Sequence, residues 1–170
     1  MNYYELSDNL ISFWYRFIFD NKEEILQNMG RLVYEDNKEE ILQFISLGFE
    51  NVSISFLSEK NIKGLLPYHY NVIKNYKVDN SKLGRSIELD GLASGIGKAK
   101  DRLLVIECKY RNKPISLSTL EHLRESLTIF PYKYYDIYLF SKTGFSEDLL
   151  SLNNESINLI YLEDMIKSES

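Results

Sequence analysis

One cysteine stands in 170 residues. Cys108 has no partner within the chain, so an internal disulfide is excluded and a reducing, cytoplasmic setting is expected. Histidine is almost as scarce. His69 and His122 lie far apart, with no cysteine or carboxylate cluster at zinc spacing, and are expected to be structural. Long apolar runs are missing too. The longest candidate, LISFWYRFIF, is interrupted by Ser12 and Arg16 and falls short of the ~20 residues of a membrane span. It also lacks the charged start and cleavage site of a signal peptide, and no membrane association is expected. What is present is an ordinary globular composition, 44% hydrophobic and 26% charged, long enough to bury a core in one domain with a helical appendage.

The net charge of −5 alone argues against a nucleic-acid partner, but its distribution does not. Residues 60–113 hold 12 Lys and Arg against 5 Asp and Glu, whereas the remainder holds 8 against 20. A basic middle in an acidic chain either follows phosphates or is a solvated, lysine-rich face.

Apolar residues from Leu6 to Phe19 repeat with helical spacing around a wide face containing Phe13, Trp14 and Phe17. Trp14, Tyr15 and Phe17 form either core, the reading favoured here, or a partner-docking stripe. The heptapeptide NKEEILQ occurs at 21–27 and again at 37–43, which reads as two helix starts, each with Asn as N-cap. The second opens a longer helix over about 38–57. These patterns divide the chain into a helical extension, residues 1–36, and a domain, residues 37–170. In the domain, strands are expected at 72–78, 86–93 and 103–110, a helix from Ser116 or Ser118 to about 130, a strand at 136–141, a short helix at 146–150, and a last strand at 157–162. An antiparallel meander passing into parallel crossovers defines an α/β fold with a mixed sheet covered by helices.

GLASGIGK (91–98) invites a phosphate-loop reading, which the spacing refuses. Leu92 stands where the loop needs its first Gly, and Ala99 replaces the required Ser or Thr. The segment is expected to be a basic hairpin turn. The strands on either side of it are more informative. SIELDGLA (86–93) carries Glu88 and Asp90, and LLVIECK (103–109) ends in Glu107 and Lys109. Alternation puts each pair on one face, and a hairpin would bring Asp90 to Glu107. Charges at a strand end are common and on their own mean only exposure to water. Two converging carboxylates with a lysine are more selective. They call for a cation, and hard oxygen ligands suit Mg²⁺ or Mn²⁺. With a lysine to hold water or balance phosphate charge, the set suits metal-assisted phosphodiester hydrolysis.

Asp90…Glu107-Cys108-Lys109, followed by a helix and DIYLFS, resembles the PD-(D/E)XK nuclease superfamily with its restriction-endonuclease-like fold. LSDNLISFWYRFIFDNKEEI (6–25), ELD, ECK and SKTGF (141–145) resemble more closely the nuclease-like C-terminal domain of archaeal-type DEXX-box ATPases. Leu89 departs from the superfamily's Pro before the aspartate. The resemblance implies that Asp90 and Glu107 ligate the metal, with the Cys108 carbonyl as a third ligand, and that Lys109 is the catalytic lysine. It implies a further glutamate from the helix before the sheet, for which Glu50 is the match. Glu88 is a further acid near the metal or the partner of a basic neighbour. Lys98, Lys100, Arg102, Arg111 and Lys113 are expected to flank the site and contact DNA. An ATPase and winged-helix module upstream in a longer chain is implied, and a homodimer is left open. Two functions follow: a metal-dependent nuclease acting on DNA, or a nuclease-fold module that binds DNA or a partner protein without cleaving.

Overall fold

Leu103 to Ile106, four apolar residues in a row, are all buried. An unbroken run of this kind suits a strand covered on both faces, and the strand is the middle of a five-stranded sheet. The chain is described from a computed structural model, in which residues 8–80, 84–152 and 154–167 are defined. Leu6, taken above as the start of the first helix, lies outside them.

The strands are β1 (Lys74–Asn80), β2 (Arg85–Ser94), β3 (Arg102–Lys109), β4 (Tyr134–Ser141) and β5 (Ile157–Tyr161), and their spatial order follows the sequence. β1, β2 and β3 are antiparallel neighbours, while β3, β4 and β5 run parallel. The parallel pairs require crossovers. α4 (Leu117–Leu127) makes the first and α5 (Glu147–Leu150) the second. The expected α/β class with a mixed sheet is the observed one.

Each face of the sheet has its own core. Ile87, Leu89, Leu103, Val105, Ile137 and Leu139 pack with Leu120, Leu123 and Leu127 of α4 and Leu149 of α5. On the other face Ala93, Leu104, Ile106, Cys108, Tyr138 and Phe140 meet Phe49 and Leu57 of α3 (Gly30–Ile62) and Met165 of α6 (Leu162–Lys167). α6 has only six residues and was not expected.

Two compact units divide between Gly48 and Phe49, within α3. In the first, α1 (Asn9–Phe13) continues as a π-helix, Trp14–Phe19, followed by α2 (Lys22–Leu26). Phe13, Phe17 and Phe44 form a ring cluster, and Arg16 pairs with Glu40 at 3.2 Å. Of the aromatic stripe, only Phe17 is core. Trp14 and Tyr15 are 43% and 51% exposed and meet edge to face. The repeat also resolves differently from the expected pair of capped starts. Asn37 lies inside α3 and donates its amide to the Val33 carbonyl, and Asn21 donates to that of Phe17. The first copy does start a helix, α2, with Asn21 at its N-cap position and Glu23 and Glu24 in the first turn, but both asparagine side chains bond back one turn instead of capping forward.

An 18-residue stretch of α3 has a mean hydropathy of 1.3, enough by length and composition alone to cross a membrane. Polar residues are scattered through the helix, so no unbroken apolar run marks this stretch. In the same helix Phe49, Ser53 and Leu57 are buried.

Candidate active site

β2 does not alternate as a regular strand. Leu89 pairs with Tyr76 and Leu92 with Lys74, so three steps along β2 oppose two along β1. One extra residue is accommodated at Asp90–Gly91, a β-bulge, and bulges re-aim side chains beside functional sites. The core confirms the slip, since Leu89 and Leu92 both pack on the α4 face although an odd number of steps separates them. Gly91 suits the position. A Cβ there would lie 2.8 Å from Ile106 Cδ1 and 3.0 Å from its Cβ.

The bulge decides what Asp90 does. The β2–β3 pairing runs from Ser94↔Leu103 to Gly91↔Ile106. Beyond it the Cys108 amide donates to Asp90 Oδ2 at 2.6 Å. The carboxylate occupies the place of a strand carbonyl where the two strands part. Glu107 follows Leu103 and Val105 in alternation, and its carboxylate pairs with the Lys109 ammonium. Both side chains are mostly buried, at 14% and 31% exposure. Glu88 is exposed and paired with Lys77 at 3.0 Å, and its charge also raises Asp90 and Glu50, so it is both the partner of a basic neighbour and an acid near the cluster.

Glu50 arrives from α3. Phe49 beside it is buried against the Tyr110 ring, and Ser53, one turn on, is fully buried with its hydroxyl on the Phe49 carbonyl. This fixes Glu50 at the edge of the stripe, next to the other acids. Burial pushes its carboxyl up to about 7, with Asp90 the largest electrostatic contributor and Lys109 opposing. Burial also raises Asp90, against the Cys108 amide and Lys109. Glu107 is raised by burial, with Lys109 opposing and Asp90 adding to the rise. Lys109 is held above the ordinary lysine value although burial opposes it, because Glu107 pairs with it and Asp90 adds to the field. The structure therefore brings Asp90, Glu107, Lys109 and Glu50 into one electrostatic cluster at the carboxyl end of β3, where open α/β sheets bind ligands.

Among the described residues no three His, Cys, Asp or Glu side chains stand ready to hold a metal ion. Asp90 is engaged by an amide and Glu107 by Lys109. The donor chemistry nevertheless fits a hard divalent cation, because three carboxylates with raised proton affinity face one paired ammonium. The Cys108 thiol is 6% exposed on the opposite face, and burial raises it, so it is packing and not a nucleophile.

The expected basic strip divides. Arg111 lies close enough to Glu107 to lower its proton affinity, and exposed Lys113 follows in the same loop. Lys98 and Lys100 do not flank the site. They sit in the β2–β3 turn, which the antiparallel hairpin places at the other end of β3, about 23 Å away over seven residue steps. Arg102 is at that end too and is not free for phosphate. Its guanidinium grips Asp136 through Nε at 2.7 Å and Nη2 at 2.5 Å, and Asp136 also accepts from the Tyr70 hydroxyl. Lys142, not among the expected residues, lies beside the site. Its backbone N–H donates to the Lys109 carbonyl, and its ammonium lies 4.7 Å over the Tyr110 ring and donates to Asn112. The SKTGF segment was the only available signal for it. The GIGK segment is a 3₁₀ turn between two strands, as its spacing required.

The fold and site define an α/β domain whose mixed sheet carries a half-buried acid–lysine cluster at the end of its central strand. Residues 14–124 match the DUF234 family, described as "Archaea bacterial proteins of unknown function". The match covers more than half of the chain, and the chain belongs to that family. Curated proteins give no match. Among solved structures the chain is similar to "Protein of Unknown Function AF1548" at 15% identity and a TM-score of 0.40, covering 69% of this chain and 66%, just under two thirds, of that one.

Proposed function

We propose that the chain is a metal-dependent nuclease module of the PD-(D/E)XK type that hydrolyses DNA phosphodiester bonds. The observation that carries this reading is the bulge at Asp90–Gly91, which turns the Asp90 carboxylate onto the Cys108 amide between Glu107 and Lys109. A strand-end carboxylate with no further role has no need of such a device.

Asp90 and Glu107, with the Cys108 carbonyl, would hold Mg²⁺ or Mn²⁺, which when bound supplies charge neutralisation at the phosphate and acidifies water. Released from Glu107, Lys109 orients the attacking water and offsets charge on the phosphate. Glu50, with its carboxyl near 7, exists in both protonation states at neutral pH and suits proton uptake from that water. Arg111, Lys113 and Lys142 line the loops beside the site and contact the flanking phosphates. The ATPase and winged-helix partner implied by the resemblance, and a cytoplasmic home suited to the free Cys108, belong to the same proposal.

A non-cleaving nuclease-fold module that binds DNA or a partner protein is the second reading. The Glu107–Lys109 ion pair favours it, since each group occupies the other. Calorimetry with Mn²⁺ separates the two. The nuclease reading expects saturable binding that is lost in Asp90→Asn and kept in Lys109→Ala. Absence of divalent binding by the parent chain supports the second reading.

A further inference from the structure

The end of the sheet opposite Asp90 and Glu107 has a second constructed feature that the nuclease reading leaves unused. A cavity of about 800 Å³ opens there, lined among others by Ile62, Tyr68, His69, Ile96 and Lys98. That volume falls in the range of small-ligand sites, about 300–1,000 Å³. Its walls are apolar, and water reaches them. Ile62 is 84% exposed, Ile96 48% and Tyr68 38%.

The walls are also fixed in place. The Arg102 guanidinium lies 4.0 Å from the centre of the Tyr68 ring and 5.0 Å from that of Tyr134. Arg102 is itself clamped by buried Asp136, which Tyr70 also bonds at 2.7 Å. The far wall is the turn carrying Ile96 and Lys98. Its N–H at Ile96 bonds the His69 carbonyl, and a Cβ on Gly95 would fall 2.0 Å from the Ala99 carbonyl oxygen. Gly95 therefore admits no side chain, and the turn keeps one close-packed form. Lys98 projects from it, exposed, with exposed Lys100 two residues on.

An exposed aromatic ring held rigid, flanking aliphatic walls and an ammonium at the mouth together form the recognition set for a flat apolar ring carrying an anion. Base stacking on aromatic side chains beside a basic rim is how single strands are held without sequence readout. We infer that this cavity binds one nucleotide unit, its base against Tyr68 between Ile62 and Ile96 and its phosphate at Lys98. The inference rests on the nuclease reading only for the source of the nucleotide, a strand that also reaches the acid cluster. The two sites stand about 23 Å apart along β3, or about seven base steps at ~3.4 Å each.

The test is fluorescence anisotropy of labelled dT12 on the full chain in EDTA, where no cleavage can intervene, with free dTMP as competitor. Lys98→Glu, at an exposed turn position, and Tyr68→Ala are each expected to weaken dT12 binding at least fivefold, and Tyr68→Phe is expected to retain it. Competition by millimolar dTMP assigns the site to nucleotides in general, whereas dT12 binding without dTMP competition assigns it to strands, and either supports the inference. Absence of dT12 binding, or binding that neither Lys98→Glu nor Tyr68→Ala alters, overturns it. Should the parent chain fail to cleave DNA in both Mg²⁺ and Mn²⁺ while dT12 binding responds to Lys98→Glu, the nuclease reading falls and this one stands. Cleavage by the parent with dT12 binding indifferent to Lys98→Glu gives the reverse.

Discussion

Glu50 is where local physics is most exposed to measurement. Its carboxyl is raised from 4.5 to about 7 because α3 buries it and Asp90 adds negative charge. The native state thus holds this proton more tightly than the unfolded chain does. Its contribution to stability is fully present below pH 4.5 and is lost as pH rises through about 7. Glu50→Gln removes that titration. The variant should melt higher than the parent at pH 8 and close to it at pH 4.5, as read by thermal denaturation followed by circular dichroism. Equal melting temperatures at both pH values would mean that Glu50 is not part of the acid cluster. Gly91 supplies a second residue-scale test. A methyl there meets Ile106 at 2.8 Å, with β2 on one side and the core on the other. Gly91→Ala should cost about 1–3 kcal/mol in urea unfolding, the usual penalty for overpacking. Unchanged stability would show that the bulge does not need glycine.

At the scale of elements, the most legible part of the sequence was the sheet. Four apolar residues before Glu107 and the DIYLFS pattern give β3 and β4 directly, because strands covered on both faces need continuous hydrophobicity. Asp90, Glu107 and Lys109 were legible from residue type and strand order, and Glu50 only through the family resemblance. The bulge was not. It arises from a one-residue mismatch between β1 and β2, and strict alternation along β2 conceals any such slip. Beside the mismatch, Asp90 accepts the Cys108 amide where the two strands part, a partner that alternation alone does not indicate. Arg102 was misjudged for a related reason, since charge in a basic stretch says nothing about a buried partner 34 residues away. Because Arg102 and Asp136 are 15% and 8% exposed, Arg102→Ala leaves a buried carboxylate unpaired. The loss should be about 3–5 kcal/mol in denaturant unfolding. If stability held and DNA affinity fell instead, Arg102 would be a phosphate contact after all.

For the molecule as a whole, the two compact units have unlike chemistry. The first, up to Gly48, is helical with Trp14 and Tyr15 exposed, and the second, from Phe49, contains the sheet, Glu50 and the rest of the acid cluster. Membership of DUF234 covers parts of both, residues 14–124, and leaves activity open. The central claim is that the cluster hydrolyses DNA with a divalent cation. It is tested most directly by incubating supercoiled plasmid and branched DNA with the full chain in Mg²⁺, in Mn²⁺ and in EDTA, beside Asp90→Asn and Lys109→Ala purified identically. The proposal expects divalent-dependent cleavage by the parent, reduced roughly a hundredfold or more in each variant, the usual size of lost electrostatic stabilisation. Cleavage that survives undiminished in both variants, or no cleavage by the parent with either cation, would contradict it.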